Sequence, residues 1–198
     1  MTFIRSLIAT VFFVVLLLSI YYAHIAFFSV NVIFYAAIVD AILATIVTGV
    51  LLYLASYFAP LSSLEKAQLL AICLLGGYAF AISVPTVIDR SLSFYILEKL
   101  QQRGGGIRAD SFADVFTKEY MHEYRLVDVR LTEQEESGTV VIKNGCAMLT
   151  PKGKMIASIS SYFRHHLLPK KRLLRGEYTD ALTDPFRDSI ETPPYTCR

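Results

Sequence analysis

The sequence predicts a membrane all-α region of three transmembrane helices joined to a small α+β domain. Three observations predict it. From Met1 to Ile88 the only formal charges are Arg5, Asp40, Glu65 and Lys66, whereas the rest of the chain carries 17 Lys/Arg and 15 Asp/Glu. Within the first part, three stretches reach the roughly 20 apolar residues that a spanning helix needs. In the second part, helical periodicity gives way to a short strand and an Asn-Gly turn, the strongest short hairpin signal. The expected layout is a transmembrane region over 1–88, a soluble domain over 89–168, and a basic segment with an irregular tail over 169–198.

The predicted spans run over about 3–22, 32–57 and 67–88. Arg5 followed by an apolar run resembles a secretory leader. However, Tyr21, Tyr22 and His24 occupy the place where small residues would mark cleavage, and more apolar sequence follows, so an uncleaved anchor is expected. Tyr21, Tyr22, His24, Tyr53, Tyr57 and Phe58 suit the headgroup layer. Ala59-Pro60-Leu61-Ser62-Ser63 reads as the turn before the third span, with a serine able to cap it. Arg90, Lys99, Arg103 and Arg108 crowd the exit of the last span. This bias predicts an inner-membrane protein with its C-terminal domain in the cytoplasm and its N-terminus outside.

Asp40 is the one carboxylate deep in a span, where a charge is costly and usually faces protein or water. It is a candidate polar contact to a partner helix or a proton site. The alternative is a neutral, protonated Asp near a thinned region, or an Asp bonded to Tyr35, Thr45 or a backbone group. Gly76-Gly77 in the third span would permit close helix packing or make a flexible spot.

Past Asp89, Leu92, Ile96, Leu97 and Leu100 recur at helical spacing until Gly104-Gly105-Gly106 ends the run. This places the last span and the first soluble helix one short bend apart. Ser111-Phe112-Ala113-Asp114 reads as a capping box, with Phe112, Val115, Phe116 and Tyr120 on one face of a second helix. The stretch from Tyr124 to Gly138 fits both a helix and an alternating strand. Its Thr132-to-Glu136 run favours the helix. Thr139 to Lys143 is a predicted strand, Cys146 to Leu149 its return. Thr150-Pro151 opens an amphipathic helix with Met155, Ile156, Ile159, Tyr162 and Phe163 as its inner face. The three cysteines are too scattered for a disulfide framework, and Cys73 and Cys146 are expected to pack as small hydrophobes.

Helix, helix, helix, hairpin, helix is a characteristic order. With Arg130-Leu131-Thr132-Glu133-Gln134-Glu135-Glu136-Ser137-Gly138, the Asn144-Gly145 turn and Leu149-Thr150-Pro151-Lys152-Gly153 (an LTxKG pattern), residues 90–168 resemble the winged-helix superfamily. The resemblance implies a third helix able to read DNA and a wing on the phosphate backbone, with Arg125, Arg130 and Lys143 as the possible contacts. Charge opposes that role. The third helix carries Arg125 and Arg130 against Asp128, Glu133, Glu135 and Glu136, and residues 89–163 hold 10 Lys/Arg and 10 Asp/Glu. DNA affinity rests largely on neutralising phosphates.

The basic cluster lies further on: Arg164, Lys170, Lys171, Arg172 and Arg175, beside His165 and His166. It suits anionic headgroups or a partner surface, or else complements a helix end. No GxSxG, HExxH, Walker loop or dinucleotide fingerprint occurs. The expectation is a noncatalytic membrane protein without cofactor or metal. It would dock a membrane-associated protein or a second copy, as an accessory or regulatory subunit of a membrane complex, with membrane lipid as its other partner. The alternative is a membrane-tethered DNA-binding regulator.

Overall fold

A computed structural model describes residues 2–187 and Ser189. It divides into two compact units, Met1–His122 and Glu123–Arg198. The first unit therefore extends well past the break in composition at residue 88 and takes in the first predicted soluble helices.

Three helices in the first unit are long and apolar enough to cross a membrane. Helix α1 spans Thr2–Phe27 and α2 spans Ile33–Leu54. Helix α3 spans Ser63–Ala81 and continues through a π-helical turn, Ile82–Thr86, into α4, Val87–Arg90. Part of the ambiguous apolar stretch after Tyr22 lengthens α1 to Phe27. Helix α3 begins four residues before the predicted position because Ser62 and Glu65 form a reciprocal capping box. Ser62 Oγ accepts from the Glu65 amide at 3.3 Å, and the Glu65 carboxylate accepts from the Ser62 amide at 2.7 Å. Pro85 sits inside the π turn, where it supplies no amide hydrogen.

Small residues bring the spans together. Ala37, Ala41, Ala44 and Thr48 line the buried side of α2, while Phe13 and Leu17 of α1 and Cys73 of α3 fill the space between. A second cluster joins Ala9, Leu52, Phe58, Leu61 and Leu69 near the opposite end. Most other large apolar side chains of the spans face outward, as bilayer contact requires.

Helix α5, Leu92–Gln102, is separated from α4 by Ser91 alone, whose extended backbone breaks the helix and whose hydroxyl accepts from the Phe94 amide. The next helical run comprises α6, Phe112–Asp114, a π-helical segment Val115–Tyr120 and α7, Met121–Glu123. The expected capping box at Ser111 does not form. Its backbone is already helical, and its hydroxyl donates to the adjacent Asp110 carboxylate. Val115 and Tyr120 are buried, as the predicted face requires.

The second unit contains α8, Leu126–Glu136, the hairpin β1, Val140–Lys143, with β2, Cys146–Leu149, and α9, Pro151–Leu167. The Tyr124-to-Gly138 ambiguity resolves as helix. Strands β1 and β2 pair antiparallel, with Lys143 opposite Cys146. Asn144 and Gly145 both take positive φ, as a two-residue hairpin turn demands. Thr150 caps α9 by accepting from the Gly153 amide at 3.0 Å, and Pro151 occupies its first turn. Gly153 lies so close to the Thr139 carbonyl that a Cβ would collide with it.

A second hairpin, β3, Arg172–Leu174, with β4, Glu177–Thr179, forms in the segment expected to be irregular. Arg175 and Gly176 turn it with positive φ. Beyond Ser189 the predicted tail, including Pro193 and Pro194, lies outside the described residues.

The helix–hairpin–helix order is thus present, but winged-helix packing is not established. Among the described residues, no apolar side chain of the second unit is buried; the only buried side chains there are Thr139 and the glycine position 153. The face of α9 expected to point inward is open, with Met155, Ile156, Ile159, Tyr162 and Phe163 44–61% exposed. One helix and two four-residue strands offer too little surface to cover it.

Candidate functional site

The spans hold one polar pair that the sequence did not reveal. His24, near the end of α1, places Nδ1 2.7 Å from Asp40 Oδ1 on α2. Asp40 is 2% exposed, and its Oδ2 is buried without a hydrogen-bond partner. Its partner is therefore neither Tyr35 nor Thr45. Thr45 instead donates to the Ala41 carbonyl at 2.8 Å. His24 lies in the part of α1 that runs past Tyr22 to Phe27. The pair lies within two helical turns of the α1–α2 connector. Tyr21 packs edge-on against Phe80 of α3 beside it, and Phe28 packs edge-on against His24. A paired carboxylate and imidazole in hydrocarbon can tie two helices together and can exchange a proton.

Gly76 and Gly77 have different surroundings. A Cβ on Gly77 would stand 2.7 Å from Ala41 Cβ and 3.4 Å from Phe13 Cζ, so this position lets α3 close on α2 and α1. A Cβ on Gly76 would meet nothing within 4 Å.

Just outside the spans, Lys99 is buried at 4% exposure. Its ammonium reaches Glu119 at 2.6 Å, and Arg103 reaches the same carboxylate at 2.9 Å. The Lys99 and Arg103 cations hold the Glu119 carboxyl below its usual range. Tyr95 and Tyr120 pack beside them with tilted rings whose centroids are 4.5 Å apart. This arrangement pins α5 to the Val115–Tyr120 segment. The period of α5 marked Leu92, Ile96, Leu97 and Leu100 as its apolar face, but Leu92 and Leu97 are exposed and the buried positions are Tyr95 and Lys99.

No protein-family model, curated protein or solved structure matches the chain.

In the second unit, the two arginines that would read DNA are committed elsewhere. Arg125 is at 2.9 Å from Asp128, and Arg130 at 2.9 Å from Glu133. Each pair lies within one turn of α8, so the helix satisfies its own cations. Lys143 is exposed at the hairpin tip. Lys170, Lys171, Arg172 and Arg175 are exposed around the β3–β4 hairpin, and Arg164 donates to the Leu182 carbonyl at 3.4 Å. Among the described residues no group of three His, Cys, Asp or Glu converges as metal ligands would. Cys146 does not pack as a free thiol: it is disulfide-bonded, whereas Cys73 is free and buried. The scattered spacing of the cysteines gave no sign of it.

Proposed function

We propose that this chain is a noncatalytic accessory subunit of an inner-membrane complex, with Glu123–Arg198 as its docking module. One observation carries the reading: among the described residues the second unit buries none of its apolar side chains, so its apolar faces need a further surface to leave water. Val127 and Val129 of α8 are 52% and 39% exposed on opposite sides of the helix, so each is open to a protein partner. The alternative, a tethered DNA-binding regulator, is opposed by the acidic balance around α8, where Arg125 and Arg130 stand against Asp128, Glu133, Glu135 and Glu136. A photo-crosslinker at Val129, activated in native membranes, should give one discrete protein adduct. The absence of any adduct, together with salt-dependent DNA binding by the detergent-purified chain that Arg125→Ala with Arg130→Ala abolishes, would replace the docking reading.

The same proposal puts the second unit in the cytoplasm, following Arg90, Lys99, Arg103 and Arg108 at the exit of the spans. The reverse orientation would put the second unit on the outer side. Labelling of Lys170 and Lys171 by a membrane-impermeant amine reagent in intact cells decides between them. Protection of both lysines until the membrane is opened is the cytoplasmic result.

A further inference from the structure

Between Ser137 and Gly176 the chain carries eight Lys/Arg and no Asp/Glu. The acids of the second unit lie on either side of this segment. Within it, α9 has two sharply different faces. At 100° per residue, Met155, Ile156, Ile159, Tyr162, Phe163 and Leu167 fall on one arc, with Ala157, Ser161, Arg164 and His165 opposite. All six apolar side chains are 44–61% exposed. The β3–β4 hairpin repeats the combination on a smaller scale, with Leu173 and Tyr178 56% and 73% exposed beside Arg172 and Arg175.

We propose that α9 and the β3–β4 hairpin lie on the surface of an anionic bilayer, the apolar arc sunk into the headgroup boundary and the cations on lipid phosphates. This deepens the docking reading by naming the occupant of one face, and leaves α8 for the protein partner. Three features select lipid. Three candidate spans tether the chain, so a bilayer surface is always within reach. An amphipathic helix with an aromatic-rich apolar arc and a polybasic neighbour has the composition of an interfacial helix. A segment with eight cations and no anions complements an acidic leaflet, and exposed Lys and Arg can keep their charges at the phosphates while their stems cover apolar surface. A nucleic acid would use the cations but leave the Ile156-to-Leu167 arc in water.

The chain contains no tryptophan, so an introduced one reports its own surroundings. The full-length protein carrying Ile159→Trp is reconstituted at one chain per nanodisc, in phosphatidylcholine with or without phosphatidylglycerol. With phosphatidylglycerol, the emission should move to the blue and be quenched by brominated acyl chains. Ser161→Trp, on the opposite face, should remain solvent-like. Replacing Lys170, Lys171, Arg172 and Arg175 with Gln should return Ile159→Trp to the solvent position. At about fivefold per neutralised cation, the four together shift the docking equilibrium roughly 600-fold.

Hydrogen exchange on the unaltered chain gives a second reading, with slower exchange across 151–175 expected only in acidic discs. Solvent-like emission from Ile159→Trp and unchanged exchange in both lipids would overturn the proposal. So would a blue shift that needs two chains per disc, which identifies a second copy as the cover, or one that needs an added oligonucleotide, which identifies nucleic acid. Survival or loss of the Val129 protein adduct is read separately, so the lipid face and the protein face stand or fall independently.

Discussion

Gly77→Ala should loosen the packing of the three spans, and the structure gives the scale. The added Cβ would lie 2.7 Å from Ala41 Cβ, about 1 Å inside ordinary carbon–carbon contact near 3.5–4.0 Å. The obstructing atom belongs to a short side chain next to backbone; Ala41 Cα itself would stand at 3.5 Å. Relief therefore requires α2 and α3 to separate. Overpacking of this kind costs about 1–3 kcal/mol. Gly76→Ala is the internal control, since its Cβ enters open space. Removing the obstruction, with Ala41→Gly in the Gly77→Ala background, should recover most of the loss, and the coupling between the two substitutions should exceed about 0.5 kcal/mol. The assay is reversible unfolding in mixed micelles, or resistance to thermal aggregation in mild detergent, for these three variants and Ala41→Gly alone beside the original chain. Equal behaviour of Gly76→Ala and Gly77→Ala, or no rescue by Ala41→Gly, would refute the assignment of Gly77 to a tight helix crossing.

Two further outcomes follow from the polar pairs. Asp40→Leu strands His24 Nδ1 and should destabilise the α1–α2 contact by about 0.6–1.7 kcal/mol, the range for interhelical hydrogen bonds in membranes. The double variant Asp40→Leu with His24→Leu should cost less than the sum of its parts in the same assay, and strict additivity would count against the pair. Glu119→Gln should lower the thermal midpoint more than Arg103→Gln does, because it leaves the buried Lys99 without its carboxylate. Since Lys99 and Arg103 depress the Glu119 pKa in the folded chain, its contribution is present above the usual value of 4.5 and lost as pH falls through the depressed one. Acid melts below about pH 4.5 should therefore converge for the original chain and Glu119→Gln, and a constant gap across that window would contradict the assignment.

The spans were legible because length and hydrocarbon content are properties of contiguous residues. The same holds for the Asn144-Gly145 turn and the Thr150 cap, each written in two to four neighbours. Contacts between elements were less accessible. His24 and Asp40 are sixteen residues apart in different helices, and only their shared nearness to the α1–α2 connector hinted at a common depth. Lys99 was hidden because a long basic side chain in an amphipathic helix ordinarily belongs to the wet face. The apolar arc of α9 was correctly found by its period, but periodicity states which side is apolar and not what covers it. The expectation of an inward face assumed a core that α8 and one short hairpin cannot supply. The β3–β4 hairpin escaped notice because its strands are three residues long, below the length at which alternation can be read.

Ser91 is the whole of the joint between α4 and α5. With a planar peptide on each side, a single residue offers two soft torsions and no slack in length. Any roll of the third span about its long axis must then swing α5 as a crank swings on its shaft, carrying the Lys99–Glu119 clasp with it. Lengthening that joint with a pair of glycines would let the shaft turn without the arm.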